Sequence, residues 1–276
     1  MYEQVCRIYK QNIYLYLIFL LKSFNKEKAY KFEYVIGILN GLLFIFIFTS
    51  LWSALYNAST NLSALPFNKG QMIAYAVYAM LIKISLTQEE SSIPANVRSG
   101  QIAMDMIKPI NFIRMHLAQA LGQTMFHWVT RVIPIAIVTF IFFDININIS
   151  LNLLIIVLIS WIFGYLILFY INFMFAMLAF WFVEVFGFQL MKFALMTLFA
   201  GGILPIDFFP ESMQPFIKFL PFQYIIYAPT SILIGHNREY DIFYLIIGQL
   251  IWVILLYAAA RFVWFKGQTK LIVQGG

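Results

Sequence analysis

The feature that most restricts this chain is the run of residues 151–175, which contains no charged side chain. It is longer than the ~20 residues that an α-helix needs to cross a bilayer. The chain of 276 residues is 62% hydrophobic and only 11% charged, whereas soluble domains carry about 25% charged residues. A soluble fold of this size would need a more polar surface. We therefore expect a single all-α integral membrane domain over residues 1–276.

Six segments are apolar and long enough to be transmembrane spans. Between the fifth and the sixth, in residues 204–241, five prolines interrupt an apolar stretch. This pattern predicts short re-entrant helices instead of one straight helix. The longest polar interval, residues 88–116, is expected to lie in water. The predicted spans are residues 34–56, 71–87, 117–143, 151–175, 187–203 and 242–260.

Residues 1–31 predict an amphipathic helix that lies at the membrane surface. Their apolar run, residues 13–21, is too short to cross hydrocarbon about 30 Å thick, and basic residues flank it. Apolar residues recur along the segment at helical spacing, which suits an interfacial helix. A signal peptide is disfavoured because charged residues follow the apolar run and no cleavage site of small residues is found.

The positions of the basic residues predict the orientation, because Lys and Arg concentrate in short cytoplasmic segments. With both termini inside, twelve of the 18 Lys and Arg lie in inner segments, three in outer segments and three within spans. We therefore expect cytoplasmic N and C termini. The positive charges are dispersed among loops and form no continuous face, which argues against a nucleic-acid partner.

The motifs of common enzymes and ATPases are missing from the sequence. No Gly-x-x-x-x-Gly-Lys-[Ser/Thr] phosphate loop occurs, so ATP hydrolysis is not expected in this chain. Three histidines (His116, His127 and His236) and the single Cys6 are too few for an obvious zinc site. No Gly-x-Ser-x-Gly motif is present. We expect no catalytic residue, bound metal or cofactor in this chain.

Ionisable side chains within spans are costly and therefore candidates for function. Lys83 lies near the inner end of its span and can snorkel, and Lys192 is interpreted as structural. Arg131 lies farther inside its span, so it needs a partner, for which Glu184 is a candidate. Both a structural and a substrate-path role for Arg131 stay open. Pro134 removes a backbone donor and predicts a helix break beside Arg131.

Gly37 and Gly41 place two small residues on one face of the first span. Such a face allows another helix to approach closely. This agrees with a permeation path that is formed between subunits.

In this order along the chain, several short motifs resemble the permease subunit of type 2 ATP-binding-cassette exporters, in the branch of multidrug and antibiotic export permeases. The resemblance covers nearly the whole chain. The motifs are Ser99-Gly100-Gln101-Ile102-Ala103, Ile107-Lys108-Pro109-Ile110-Asn111, Gly201-Gly202-Ile203-Leu204-Pro205, Phe208-Phe209-Pro210, Leu220-Pro221-Phe222, Tyr227-Ala228-Pro229, Gly235 and the terminal Gly275-Gly276.

The resemblance implies that the polar interval contains a coupling helix, which docks into a separate ATPase subunit. The sequence allows a helix here, because Ser91 or Ser92 can cap it, Pro94 suits its first turn and Gly100 suits its end. An ordinary solvated loop is the alternative. The implied ATPase-coupling residues are Glu89, Glu90, Ser91, Ser92, Ile93, Pro94, Ala95, Asn96 and Arg98.

The resemblance also implies a pair of permease subunits with two ATPase domains, which would hold the ATP and Mg. A heteromer with a second, unequal permease is favoured, and a homodimer stays open. The Gly201-Gly202 pair is the expected hinge, and aromatic residues after it form the expected outer gate. The hinge and gate residues are Gly201, Gly202, Pro205, Phe208, Phe209, Pro210, Pro221 and Phe222.

These features predict a permease in a bacterial cell membrane that exports a hydrophobic or amphipathic compound, such as a drug, an antimicrobial peptide or a lipid. The abundance of Phe and Tyr suits such a cargo. One alternative is an ion-driven secondary transporter or channel, which would be expected to show carboxylates in the membrane. The other is a membrane enzyme or assembly scaffold.

Overall fold

A computed structural model describes residues 2–28, 31–58, 66–88, 92–143, 150–235 and 239–270. These ranges contain helices and connecting turns, and no strand. A π-helical turn joins α6 to α7, and three short 3-10 helices lie at Leu178–Phe180, Ile206–Phe208 and Pro221–Tyr224. The helices are α1 (Tyr2–Glu27), α2 (Lys31–Ala58), α3 (Lys69–Ser85), α4 (Ile93–Arg98), α5 (Ile102–Met106), α6 (Phe112–His127), α7 (Ile133–Phe142), α8 (Leu151–Met177), α9 (Phe186–Phe199), α10 (Gln214–Phe219), α11 (Tyr227–Leu233) and α12 (Glu239–Gln268).

Four helical segments in the described residues are long and apolar enough to cross a membrane. The predicted second and fifth spans fall instead on α3, with 17 residues, and on α9, with 14 residues. Large apolar side chains cover the outside of the long helices, which suits contact with lipid. The chain is thus an all-helical, multi-pass membrane protein, and the count of six spans stays a prediction. The four segments are Phe32–Ala58, Phe112–Phe142, Leu151–Phe180 and Asp241–Gln268.

Polar side chains in the loops set where several helices begin. Asn68 caps α3: its side chain accepts a hydrogen bond from the backbone N–H of Gln71 (2.8 Å), and the Gln71 side chain accepts one from the backbone N–H of Asn68 (3.1 Å). Asn111 caps α6 and Ser150 caps α8 through similar bonds.

The N-terminal segment forms α1, and it is not among the helices apolar enough to span. It packs along α6, from Tyr16, whose hydroxyl accepts from the backbone N–H of Asn111 (3.2 Å), to Phe24, whose ring meets Phe126 edge to face. The two backbones approach closely at Gly122, where a β-carbon would collide with the carbonyl oxygen of Leu20. The predicted helix exists, and its position at the membrane surface stays a prediction.

The centre of the bundle is α8, which packs against α12 and α11. The backbone after the third 3-10 helix, Pro221–Tyr224, approaches α8 at Gly164, where a β-carbon would lie 2.9 Å from the Ile225 carbonyl oxygen. Gln249 of α12 joins the same region, because its amide donates to the carbonyls of Ser160 and Tyr224, both at 2.9 Å. The stretch 204–235 is thus broken into short helices, as the prolines predicted, and α11 is buried. Its re-entrant character stays a prediction.

The helix break predicted beside Arg131 is present as a π-helical turn, Trp128–Val132. Pro134 follows in the first turn of α7 and cannot donate to the usual carbonyl acceptor. A π turn shifts the hydrogen-bond register and so accommodates the missing donor.

Candidate functional site

The predicted coupling region contains a helix, α4, with Ser92 at its N-cap and Pro94 in its first turn. Gly100 follows α4 with φ +73°, a conformation that suits glycine. Glu89, Glu90 and Ser91 lie outside the described residues. The helix is present, and its docking role stays a prediction.

The side chains of α4 face in different directions. Ile93 is fully buried, so it packs inside the chain and is not available to a partner. This corrects its assignment as a docking residue. Ala95 and Arg98 are exposed. Asn96 points to the next helix and donates to the carboxylate of Asp105 (3.0 Å), which also pairs with Lys108 at 2.6 Å.

Arg98 joins α4 to the turn that precedes α9. Its Nη2 lies 2.9 Å from Glu184 Oε1, and its Nε donates to the carbonyl of Val183 (3.1 Å). Glu184 was a candidate partner for Arg131, but the fold places its carboxylate against Arg98 of α4 instead. The backbone N–H of Phe186 and the Arg98 guanidinium hold the pKa of Glu184 below its ordinary value.

Apolar side chains are exposed in the turn before α9 and in the segment that follows α4. Val183 is 88% exposed, and Ile107 after α5 is 73% exposed. Met104, Trp181 and Phe182 are exposed as well. In a segment predicted to lie in water, such a patch is typical of a protein-binding surface.

A second candidate site is a cavity of about 310 Å³ between α3, α8 and α9. Two lysines contribute to its wall, one from α3 and one from α9. Polar amides and hydroxyls share the wall with apolar side chains, so it suits a ligand with both characters. Its charged and polar lining residues are Lys83, Lys192, Gln88, Asn172, Gln189, Thr87 and Thr197.

This cavity lies beside the middle of α8. The indole of Trp161 donates to Ser85 Oγ at the end of α3 (2.7 Å), and Gln88 donates to the carbonyl of Tyr165 (3.3 Å). Since α8 continues for ten residues before Trp161 and sixteen after it, about 15 and 24 Å of helix extend on either side. The end of α3 is thus alongside the interior of a long helix. Whether Lys83 also snorkels to the membrane surface stays a prediction.

The predicted hinge, Gly201-Gly202, forms the tight turn after α9. Gly201 has φ +78°, and a β-carbon there would lie 2.6 Å from Cβ of Tyr227. The Tyr75 hydroxyl donates to the Gly201 carbonyl (2.6 Å), and the backbone N–H of Tyr227 donates to Ala200 (2.9 Å). Gly202 faces the lysine cavity. This turn thus connects α9 with α3 and α11. Its function as a hinge stays a prediction.

The predicted gate residues divide into two groups. Phe208 stacks on Phe67 and contacts Trp52 of α2, with ring centroids 6.0 and 5.2 Å apart. Phe222 instead contacts Phe199 at the end of α9 (6.5 Å). Pro205 is buried and Pro210 is exposed, whereas Phe209 and Pro221 are half-buried. Whether these residues act as a gate stays a prediction.

Arg131 and the glycine face of α2 belong to one contact. A β-carbon on Gly37 would lie 2.7 Å from Arg131 Nε, and one on Gly41 would lie 2.6 Å from Cδ1 of Ile135. Arg131 Nη2 reaches the carbonyl oxygen of Glu33 at 3.5 Å. The glycine face thus lets another helix approach closely, as predicted, and that helix belongs to the same chain. A permeation path between subunits stays a prediction. The contact favours the structural role of Arg131.

Several residues of these sites were not identified from the sequence. Tyr75 and Asp207 were missed, although Asp207 accepts a hydrogen bond from the Tyr227 hydroxyl (2.9 Å). Asn172 was missed too, and it is a polar residue within a charge-free span that donates to Gln88 Oε1 (3.1 Å). An isolated amide in such a run was the available signal. Among the described residues no group of three His, Cys, Asp or Glu could hold a metal.

Comparison with known proteins gives one match. The model of a protein family described as ABC-2 family transporter protein matches residues 42–275, well over half of the chain. No curated protein and no solved structure matches.

Proposed function

Because this chain belongs to the ABC-2 family of transporter proteins, whose permeases work with ATPase subunits, we propose that it is the membrane-spanning subunit of an ATP-driven exporter of amphipathic compounds. Its ATPase subunit would hold ATP and Mg. A second permease chain completes the assembly, as a heteromer or a homodimer. The membrane is a bacterial cell membrane, and the chain crosses it six times with both termini in the cytoplasm.

The observation that carries the proposal is the cavity between α3, α8 and α9. Its two lysines and its amides can bind the polar group of a cargo, and its apolar side chains can bind the remainder. Gly202 is part of the wall, so a movement of the predicted hinge would change the shape of the cavity. A transport pathway that alternates between two shapes needs a residue such as Gly202, which belongs both to the cavity wall and to the turn that moves.

The contacts of Arg98 supply a route from the ATPase to this cavity. The ATPase would bind the exposed face of α4 and the apolar side chains around it. Arg98 transmits the displacement to Glu184, which also accepts a hydrogen bond from the backbone N–H of Phe186 at the start of α9 (3.0 Å). Lys192, two turns along α9, then moves with it. This is a chain of direct contacts between the docking surface and the cavity.

Ala95→Asp tests the coupling assignment. The complex with its ATPase is reconstituted in vesicles, and ATP hydrolysis and export of a fluorescent amphipath are measured together. A charge on the exposed face of α4 should weaken ATPase binding and lower stimulated hydrolysis. Ser212→Asp is the matched control, because Ser212 is exposed on the opposite, outer side of the proposed topology.

Unchanged binding and stimulation in Ala95→Asp would refute the coupling surface. Export that depends on an ion gradient and is unaffected by ATP would refute the ATP-driven function. The topology is tested separately with single cysteines at Ser99 and at Ser212 on a Cys6→Ser background. A membrane-impermeant thiol reagent added outside cells should label only the cysteine at position 212.

A further inference from the structure

A second, basic cavity of about 300 Å³ lies between α1, α6 and α8, next to the start of α4. Three lysines line it. No carboxylate from the described residues contributes to the wall. The cationic and polar residues that matter here are Lys22, Lys26, Lys108, His116, Gln119 and Asn172.

The charged groups of this cavity favour an anion. Lys22 and Lys26 are exposed at its mouth and, four residues apart, share one face of α1. Lys108 is half-buried and pairs with Asp105, so it adds little net charge. Deeper in the wall, His116 is only 7% exposed, and its Nε2 has no hydrogen-bond partner among the described residues. A buried polar atom without a partner is costly, and a bound ligand could satisfy it.

Aromatic side chains form the other part of the wall. Phe19 comes from α1, and Phe169 and Phe173 come from α8. A free inorganic anion has no apolar part that could contact these rings. A phosphate group attached to glycerol and acyl chains would contact both the ammonium groups and the rings.

We propose that this cavity binds the phosphate group of an anionic phospholipid. The lipid joins α1 to α6 and α8 at the point where α1 is expected to lie at headgroup level. Lipid binding does not depend on the identity of the cargo. The proposed topology enters at one point: it places the bound lipid in the inner leaflet of the membrane. Inorganic phosphate shares the headgroup chemistry, so the experiment has to separate the two sources.

The test measures lipid retention by native mass spectrometry. The full chain is placed in phosphatidylcholine nanodiscs with or without phosphatidylglycerol and then released. The wild type should retain phosphatidylglycerol, and Lys22→Gln with Lys26→Gln should retain it about thirtyfold less, because each basic residue near a charged lipid contributes about 1 kcal/mol and about 1.4 kcal/mol is a factor of ten. Lys22→Arg with Lys26→Arg should restore retention, because the charge is kept.

The matched control removes two positive charges elsewhere at the same predicted membrane side. Arg261→Gln with Lys266→Gln should leave retention unchanged, because neither residue lines the cavity. Melting temperatures of all variants verify that the exposed substitutions leave the fold intact.

Equal loss of lipid in both double variants would overturn the proposal, since it would indicate a general surface charge effect. Unchanged retention in Lys22→Gln with Lys26→Gln would overturn it as well, because the two lysines would then not bind the headgroup. Displacement of the lipid by millimolar inorganic phosphate would assign the site to a soluble anion instead. The measurement uses no nucleotide and no ATPase, so its failure is distinct from a failure of the proposed function.

Discussion

Arg131 Nε lies 2.7 Å from the point where Gly37 would carry a β-carbon. The arginine of one span therefore packs into the gap that a glycine leaves in another. A small residue four positions later, Gly41, makes the same space for Ile135. The sequence suggested Arg131 as a charged residue within a span and the glycines as a packing face. In the structure they form one contact between α2 and the helix that contains the π turn.

Gly37→Ala should destabilise the protein by about 1 kcal/mol at most. The added methyl group overpacks the contact, but the flexible Arg131 side chain can shift and alanine favours the helix. The measurement is the melting temperature in detergent. Gly187→Ala is the control, since no atom lies within 4 Å of a β-carbon there. Gly37→Ala combined with Arg131→Ala should regain stability. If the double variant is no more stable than Gly37→Ala, the clash is not the cause.

Arg131→Ala alone separates the two roles of the arginine. If Arg131 acts only in packing, the variant should have a lower melting temperature and unchanged export per folded complex. A fall in export at unchanged stability would instead indicate that Arg131 contacts the cargo.

Gly201→Ala should be more harmful than Gly235→Ala. Both glycines have positive φ, at +78° and +68°, so alanine costs about 1–2 kcal/mol of backbone strain in each. Only at Gly201 would the β-carbon also collide with Tyr227. Melting temperatures of the two variants isolate this packing term. Equal losses would mean that the contact with Tyr227 relaxes without cost.

Arg98→Ala and Glu184→Ala should each reduce export per ATP hydrolysed while changing stability little, because both side chains are exposed. In a double-mutant cycle, the second substitution should add nothing to the first, since one contact is lost in each case. Additive losses would show that the two residues act independently.

The same pair predicts a pH dependence. The lowered pKa of Glu184 keeps its carboxylate charged at neutral pH. Its contribution is complete above the ordinary glutamate range and is lost as pH falls through the lowered value. Export per ATP hydrolysed should therefore stay unchanged in mild acid in the wild type and fall only at more acidic pH. Glu184→Gln should show no such fall.

Lys83→Gln and Lys192→Gln should reduce stimulation of the ATPase by anionic amphipaths more than by uncharged ones of equal length. Removing a positive charge from the cavity wall weakens only the charged head group. Lys218→Gln, in the exposed helix α10, is the control. Equal effects on charged and uncharged compounds would exclude a role in charge recognition.

Local patterns predicted the elements well and their contacts poorly. The prolines after Gly201 predicted a broken stretch, and Pro134 predicted an irregular turn, because a missing N–H acts on its own helix. Glu184 was only a candidate partner for Arg131, and the family resemblance placed Ile93 among the docking residues. Both assignments concern which distant segment lies next to a side chain, and helical spacing carries no information on that.

The apolar runs alone are sufficient to define an all-helical membrane protein, since a bilayer requires length and hydrophobicity from each span by itself. The absence of a phosphate loop likewise follows from the residues alone. Packing decided that α3 ends beside the middle of α8, so that Lys83 and Lys192 share a cavity, and that Arg131 covers Gly37. These relationships join residues far apart in the chain, and they exist only where the helices cross.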